Sequence, residues 1–232
     1  MFDGHWRTNF ERGLRPIGIG LRRTGLQADH LTGLGIAMAV ASAVAIGAGA
    51  LRGGLVLLIL TGLCDFLDGA LAKASGITNS RRGAFFDSVT DRLTDAILFG
   101  GVAWYLATTR PGLLPLLPMA LLGAASLVSY QRAKAEALGF DARGGLMERA
   151  ERFIVLGFGL LFNEVLIAVL WVMLVLTVFT AGQRFVKVWR QAERPEPLPI
   201  PERHARARVR RRTTRPVSQT WRERARNRSR NR

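Results

Sequence analysis

The sequence contains a single cysteine, Cys64, among 232 residues. One thiol excludes an internal disulfide framework and a zinc site built on cysteines. Acidic residues are also scarce, with 17 Asp and Glu against 33 Lys and Arg, for a net charge of +16. Residues 1–24 are mixed and basic, without the apolar core and small-residue cleavage site of a signal peptide. The sequence therefore predicts neither a disulfide framework nor a cleaved leader.

Apolar residues make up 49% of the chain and are gathered into long blocks. Because a membrane span needs about 20 mostly apolar residues, such blocks are typical of a polytopic membrane protein. The blocks predict an all-α fold with six transmembrane helices, at about 31–50, 54–75, 84–108, 113–137, 150–162 and 165–188.

The two ends of the chain differ from these blocks. Residues 5–24 carry apolar side chains at spacings of three to four, which predicts an amphipathic helix lying in the membrane interface. Residues 201–232 contain 13 Arg and 2 Glu. We expect a membrane domain over residues 1–190, followed by a disordered Arg-rich cytoplasmic tail over 191–232 that rests on anionic lipid. Nucleic-acid binding by this tail is the alternative.

The basic residues predict an orientation. With both termini inside, the outer loops hold only Arg52 and Arg110 of the 33 basic residues. Inner loops of membrane proteins are enriched in Lys and Arg. We therefore expect a multi-pass protein of the cell membrane with both termini in the cytoplasm.

Four aspartates lie near the inner ends of the second and third predicted spans. Asp65 and Asp68 are spaced i, i+3, and Asp87 and Asp91 are spaced i, i+4, so each pair shares a helix face. Antiparallel packing would bring the four carboxylates together, and hard oxygen ligands select Mg²⁺ or Mn²⁺. The pattern predicts two metal ions about 3.5–4 Å apart. Asp95, one turn deeper, is expected to be a structural partner of a polar group.

Two other uses of these aspartates remain open at this point. A proton relay or a cation transporter would also place carboxylates inside apolar helices. A transporter, however, predicts a continuous polar path across the bilayer. The outer halves of the predicted spans hold almost nothing polar.

The spacing of the aspartates resembles a known motif. The stretch D-F-L-D-G-A-L-A-K at 65–73, nine further residues, and G-A-F-F-D-S-V-T-D at 83–91 are similar to the signature of the CDP-alcohol phosphotransferases. That signature has eight fixed positions and carries Arg where this chain has Lys73. Lys keeps the positive charge but lacks the planar guanidinium fork.

The resemblance implies an enzyme that transfers the phosphatidyl group of CDP-diacylglycerol to an alcohol and releases CMP. It implies that Asp65, Asp68, Asp87 and Asp91 hold the metals and that Asp91 is also the general base. It further implies a set of donor-binding residues: Asp29, Thr32, Gly69, Lys73 and Ser80. For Asp29, a role as the N-cap of the first span is an equal alternative. The resemblance also implies a homodimer.

Basic residues at three inner helix ends predict where the acceptor binds. Arg132 and Lys134 end the fourth span, Arg152 begins the fifth, and Arg184 lies near the inner end of the sixth. Snorkelling to lipid phosphate is the alternative for each residue. Four cations on the side of the aspartates favour a second anionic substrate, such as an acceptor that carries phosphate.

The same segments resemble the actinobacterial phosphatidylinositol phosphate synthases. The similar segments are S-Y-Q-R-A-K-A-E at 129–136, G-G-L-M-E-R-A-E-R at 144–152 and Q-R at 183–184. This resemblance implies myo-inositol phosphate as the acceptor. It also implies five acceptor-binding residues: Ser129, Arg132, Lys134, Arg152 and Arg184. A phosphatidylglycerophosphate synthase, which uses glycerol 3-phosphate, is the alternative within the superfamily.

Overall fold

A computed structural model describes residues 28–74, 81–110 and 112–193. These residues form six α-helices and one 3₁₀ turn. The helices are α1 (Ala28–Gly47), α2 (Leu51–Ala74), α3 (Arg81–Thr109), α4 (Leu116–Ala137), α5 (Arg149–Leu161) and α6 (Leu166–Ala192), with the 3₁₀ turn at Asn163–Val165. No strand occurs within the described ranges, so the predicted all-α class is confirmed there.

Three segments are long and apolar enough to cross a membrane: Ala28–Gly47, Leu51–Leu71 and Asn163–Ala192. They correspond to the first, second and sixth predicted spans, and they indicate a membrane protein. α5 has only 13 residues, which at 1.5 Å per residue covers about 20 Å of a hydrocarbon core about 30 Å thick. α3 begins with a charged half that holds the aspartates.

Apolar side chains remain exposed along the outer faces of these helices. On α2, Val56, Ile59 and Leu63 are half or more exposed and lie at helical spacing. Val172, Val175 and Phe179 form the same kind of stripe on α6. Exposed apolar stripes of this length are expected where a helix faces lipid.

The first three helices pack closely because small residues lie where they meet. A Cβ atom on Gly101 of α3 would stand 2.6 Å from the Cα atom of Ala43 on α1. At the contact of α1 with α2, the Ser42 hydroxyl donates to the carbonyl of Gly54 at 2.8 Å. These contacts fix α1, α2 and α3 as the unit that carries the aspartates.

The remaining helices form a second layer around α6. α4 packs on α3 and α6, and α5 packs on α2 and α6. Their shared core contains fully buried residues from four helices, among them Leu98, Leu121, Leu156, Leu170 and Met173. Because α5 lies between α2 and α6, its first residues reach the carboxylates of the first layer.

Two predicted terminal segments lie mainly outside the described residues. These are the interfacial helix at 5–24 and the tail at 191–232, of which only residues 191–193 are described. α6 continues to Ala192, two residues into the segment predicted as tail.

Candidate metal and substrate site

The predicted aspartate cluster forms between α2 and α3. One carboxylate oxygen from each of Asp65, Asp87 and Asp91 lies within 4.8 Å of the other two. Asp87 and Asp91 are one turn apart on α3, while Asp65 comes from the C-terminal half of α2. Three hard oxygen donors at this separation fit a divalent cation such as Mg²⁺ or Mn²⁺.

Asp68 lies beside this group and is joined to α1. Its side chain is buried, and Oδ2 accepts a hydrogen bond of 2.7 Å from the Thr32 hydroxyl. Thr32 and Asp68 line one small recess together with Asp65 and Asp91. Thr32, predicted to contact the donor, therefore lies next to the carboxylates. Residues of α1, α2 and α3 line the recess.

Arg149, at the start of α5, is the residue that sequence reasoning missed. Its Nη1 atom donates to Asp65 Oδ2 at 2.8 Å and also to Asp91 Oδ1. Its Nε atom is 3.8 Å from Asp95 Oδ1, and its guanidinium lies 5.0 Å from the ring centre of Phe153. The motif at 144–152 offered a signal, because Arg149 and Arg152 are spaced i, i+3 and share a helix face.

Arg152 and Asp95 form a buried ion pair. Arg152 Nη2 donates to Asp95 Oδ2 at 2.7 Å, and the two residues are only 3% and 6% exposed. Asp95 thus has the structural partner expected of it. Breaking a buried pair of this kind by removing one partner typically costs about 3–5 kcal/mol. Arg152, predicted to bind the acceptor, also connects α5 to α3.

Arg184 is similarly enclosed by protein groups. Nη1 donates to the carbonyl of Val128 at 2.8 Å, and Nη2 donates to the carbonyl of Gly144 at 3.1 Å and to Glu148 Oε1 at 3.2 Å. Within the described ranges, the buried Nε atoms of Arg152 and Arg184 have no hydrogen-bond partner. Each guanidinium therefore retains at least its Nε–H donor, which an anionic ligand could use.

One stripe of α6 holds the loop that precedes α5. The stripe consists of Thr180, Arg184, Lys187 and Gln191. Lys187 Nζ donates to Asp141 Oδ2 at 2.8 Å, and this hydrogen bond lowers the pKa of the exposed Asp141 carboxyl below its usual value. Met147 N donates to the Thr180 hydroxyl at 3.2 Å. These contacts position the first turn of α5, which carries Arg149 and Arg152.

The remaining predicted acceptor residues lie at the end of α4. Arg132 and Lys134 are exposed, and Ser129 is partly buried. Arg132 Nε pairs with Glu136 Oε1 on the same helix at 3.0 Å. A pair this exposed contributes little to stability, so Arg132 can exchange its partner readily.

The predicted donor residues that fall within the described ranges lie on α1 and α2. Asp29 lies in the first turn of α1, largely exposed, with Oδ2 3.7 Å from Arg82 Nη2 on α3. Gly69 follows Asp68 on α2, and a Cβ atom there would meet nothing within 4 Å. Lys73 lies in the last turn of α2. Ser80 falls outside the described residues.

Comparison with known proteins identifies the family of this chain. The CDP-alcohol phosphatidyltransferase family model matches residues 26–181, and the chain belongs to that family. The phosphatidylinositol phosphate synthase of Mycobacterium marinum is 35% identical over 193 residues, covering 79% of this chain and 82% of the relative. The archaetidylinositol phosphate synthase of Methanothermobacter thermautotrophicus is 36% identical over 175 residues, covering 73% of this chain and 86% of the relative.

Solved structures show the same likeness. The Mycobacterium tuberculosis phosphatidylinositol phosphate synthase with CDP-DAG bound superposes with a TM-score of 0.69 at 35% identity, covering 77% of this chain and 94% of that one. The same enzyme in complex with manganese and citrate gives a TM-score of 0.69 at 34% identity, covering 76% of this chain and 88% of that one. Divalent metal dependence fits this family.

Proposed function

We propose that the protein transfers the phosphatidyl group of CDP-diacylglycerol to myo-inositol phosphate, producing phosphatidylinositol phosphate and CMP. The observation that carries the proposal is the continuity of the site. The carboxylates of α2 and α3 contact Arg149, and the preceding residue, Glu148, contacts Arg184. A metal-binding group and a basic group thus meet at the start of α5, as a reaction between two phosphorylated substrates requires.

The carboxylates form the donor side of the proposed site. Asp65, Asp68, Asp87 and Asp91 would hold two Mg²⁺ ions, for which Mn²⁺ can substitute. When bound, such ions supply charge neutralisation for the diphosphate and for the departing CMP. Five residues would contact the donor: Asp29, Thr32, Gly69, Lys73 and Ser80.

Basic side chains form the acceptor side. Ser129, Arg132, Lys134, Arg152 and Arg184 would bind the phosphate and the ring of the acceptor. The unpartnered Nε atoms of Arg152 and Arg184 support this assignment, since a phosphate oxygen would satisfy buried donors. Exposed Arg132 and Lys134 would add charge at the entrance.

The reaction forms one phosphorus–oxygen bond and breaks another. A hydroxyl oxygen of the acceptor attacks the phosphorus that carries the diacylglycerol, and the bond from that phosphorus to the CMP oxygen breaks. The hydroxyl proton passes to the Asp91 carboxylate, the proposed general base. Asp91 must first release its contact with Arg149 on the oxygen that takes the proton.

The proposal includes a membrane arrangement. The six helices would all be inserted, with both termini in the cytoplasm of a cell-membrane protein, and two copies would form a homodimer. Residues 1–190 would make up the membrane domain and 191–232 an accessory tail. The positive-inside distribution of basic residues supports this orientation.

An acceptor panel tests the function. Membranes containing the protein are supplied with CDP-diacylglycerol, Mg²⁺ and labelled myo-inositol phosphate, glycerol 3-phosphate or free inositol. We expect efficient transfer to inositol phosphate only, and complete loss with chelator that excess Mg²⁺ or Mn²⁺ reverses. Equal or better use of glycerol 3-phosphate would assign the protein as a phosphatidylglycerophosphate synthase. Full activity in chelator would contradict the metal mechanism.

A further inference from the structure

Arg149 connects two carboxylates that come from different helices. Its Nη1 atom contacts Asp65 on α2 and Asp91 on α3, and both belong to the three-carboxylate group that fits a cation. The Arg149 side chain is only 21% exposed. A charge in so enclosed a position interacts strongly with its neighbours, because little water screens it.

The guanidinium binds the same carboxylates that a divalent ion would use. Asp65, Asp87 and Asp91 would repel one another if all three were ionised without a cation nearby. Arg149 supplies one positive charge and hydrogen bonds to two of them. A dication among these oxygens would be repelled by a guanidinium that stayed in place. Arg149 and the ion therefore compete for Asp65 and Asp91.

The surroundings provide a second position for the displaced side chain. Arg149 Nε is already 3.8 Å from Asp95 Oδ1, and that oxygen is buried without a hydrogen-bond partner among the described residues. The Phe153 ring, one turn along α5, lies 5.0 Å from the guanidinium carbon. A small rotation toward Asp95 would let Arg149 release both metal-binding carboxylates and satisfy the unpartnered oxygen.

From these contacts we propose that Arg149 is a positioning residue, a built-in counter-cation. It holds Asp65 and Asp91 together in the metal-free protein and moves toward Asp95 when the divalent ion binds. Arg149 thereby prevents collapse or repulsion of the empty carboxylate group and sets how tightly the ion is held. This inference rests on the proposed metal-dependent function.

Direct metal binding tests the inference. The full-length protein in detergent is titrated with Mn²⁺, and free Mn²⁺ is followed by electron paramagnetic resonance. We expect Arg149→Gln to lower the Kd for Mn²⁺ by roughly tenfold to a hundredfold, since charge-assisted hydrogen bonds no longer compete. Arg149→Lys keeps the positive charge but loses the planar guanidinium fork, so its Kd for Mn²⁺ should lie between those of the wild type and Arg149→Gln.

Arg92→Gln is the matched control. Arg92 Nη1 also lies near Asp91, 3.4 Å from Oδ2, but its side chain is 38% exposed. Removing this charge should change the Kd by less than about fivefold, because partly exposed pairs contribute weakly. An equal effect of Arg92→Gln and Arg149→Gln would overturn the inference, since general charge and not the bridging contact would then set the affinity.

Thermal unfolding supplies a second readout. Without metal, Arg149→Gln should melt at a lower temperature than the wild type, and saturating Mn²⁺ should close that gap. If Arg149→Gln does not fold, a lowered Kd in Arg149→Lys supports the inference and an unchanged or raised Kd overturns it.

The outcomes separate this inference from the proposed function. Wild-type protein that binds Mn²⁺ and is active, together with an Arg149→Gln variant of unchanged or higher Kd, overturns the role of Arg149 alone. Wild-type protein that binds no Mn²⁺ overturns both the metal site and the counter-cation.

Discussion

Groups from three helices surround the Asp91 carboxylate. It accepts a hydrogen bond from Arg149 of α5, lies 3.4 Å from Arg92 of its own helix, and shares the cation-binding group with Asp65 and Asp87. A general base must be both ionised and correctly positioned. Helix α3 places Asp91 one turn from Asp87, within the group of three carboxylates.

Replacing Asp91 with Asn tests this role at the residue scale. The side chain keeps its shape but cannot accept the proton, so we expect kcat for phosphatidyl transfer to fall by about 10²–10⁴-fold with the protein still folded. Glu164→Gln is the control, because Glu164 is an exposed carboxylate in the 3₁₀ turn at the opposite end of α5. A variant at position 91 that keeps more than a tenth of wild-type kcat would contradict the assignment.

Arg184 supports a second prediction at the residue scale. Its free Nε donor is proposed to bind the acceptor phosphate. Arg184→Ala should therefore raise KM for inositol phosphate roughly tenfold to a hundredfold, the range expected for a lost charge-assisted contact. KM for CDP-diacylglycerol should change much less. Steady-state kinetics with each substrate varied in turn provides the measurement.

Arg190→Ala is the control for that experiment. Arg190 lies on the last turn of the same helix and is exposed. If Arg184→Ala does not fold because three hydrogen bonds are removed, Arg184→Lys is used to test whether KM for inositol phosphate rises. Equal increases in both KM values would mean that Arg184 only anchors the loop before α5.

At the element scale, the position of α1 determines the shape of the recess. α1 brings Thr32 to Asp68, and its approach to α3 depends on Gly101. A side chain at this glycine would collide with the backbone of Ala43, which cannot move away as a flexible side chain could. The distance between these helices therefore controls the geometry of the carboxylate group.

Gly101→Val should accordingly destabilise the protein by about 1–3 kcal/mol, as overpacking commonly does, and reduce activity by displacing Thr32. Gly100→Val is a closely matched control, since a Cβ atom at Gly100 meets nothing within 4 Å. Thermal unfolding in detergent and transfer activity are compared for both variants. Similar losses of stability and activity in Gly101→Val and Gly100→Val would show that the effect comes from helix propensity and not from the contact with α1.

The fifth helix illustrates what local sequence patterns could not predict. Helical spacing indicated that Asp87 and Asp91 share a face, because that relation depends only on residues four apart. The contact of Arg149 with Asp65 and Asp91 depends on a loop held by Lys187 and Thr180, far along the chain. Sequence reasoning assigned a site role to Arg152 and none to Arg149. Helical periodicity shows which residues share a face of α5, but it does not show how close the start of α5 lies to the carboxylates of α2 and α3.

At the scale of the whole molecule, the residues assigned to the proposed site all lie at or before Arg184. The Arg-rich residues 201–232 follow it. Truncation after residue 194 should leave kcat and both KM values close to wild type in mixed micelles. The attraction of residues 195–232 to anionic lipid, worth up to about 1 kcal/mol for each Arg near the membrane surface, should be lost.

Binding of a peptide of residues 195–232 to anionic and to neutral vesicles measures this attraction. Neutral vesicles are the control, because the electrostatic contribution vanishes there and the peptide should bind only to the anionic vesicles. A truncated protein that is inserted correctly yet inactive would show that the tail takes part in catalysis.

The sequence by itself determined the helical class, the membrane character and the aspartate motif, because these follow from apolar run length and from i, i+3 and i+4 spacing. Only the tertiary structure decided which groups meet: Thr32 with Asp68, Arg149 with Asp65 and Asp91, and Arg152 with Asp95. Each pair joins different helices. Its formation depends on close packing across small residues and on a loop held against α6, and these long-range contacts have no short-range pattern in the chain.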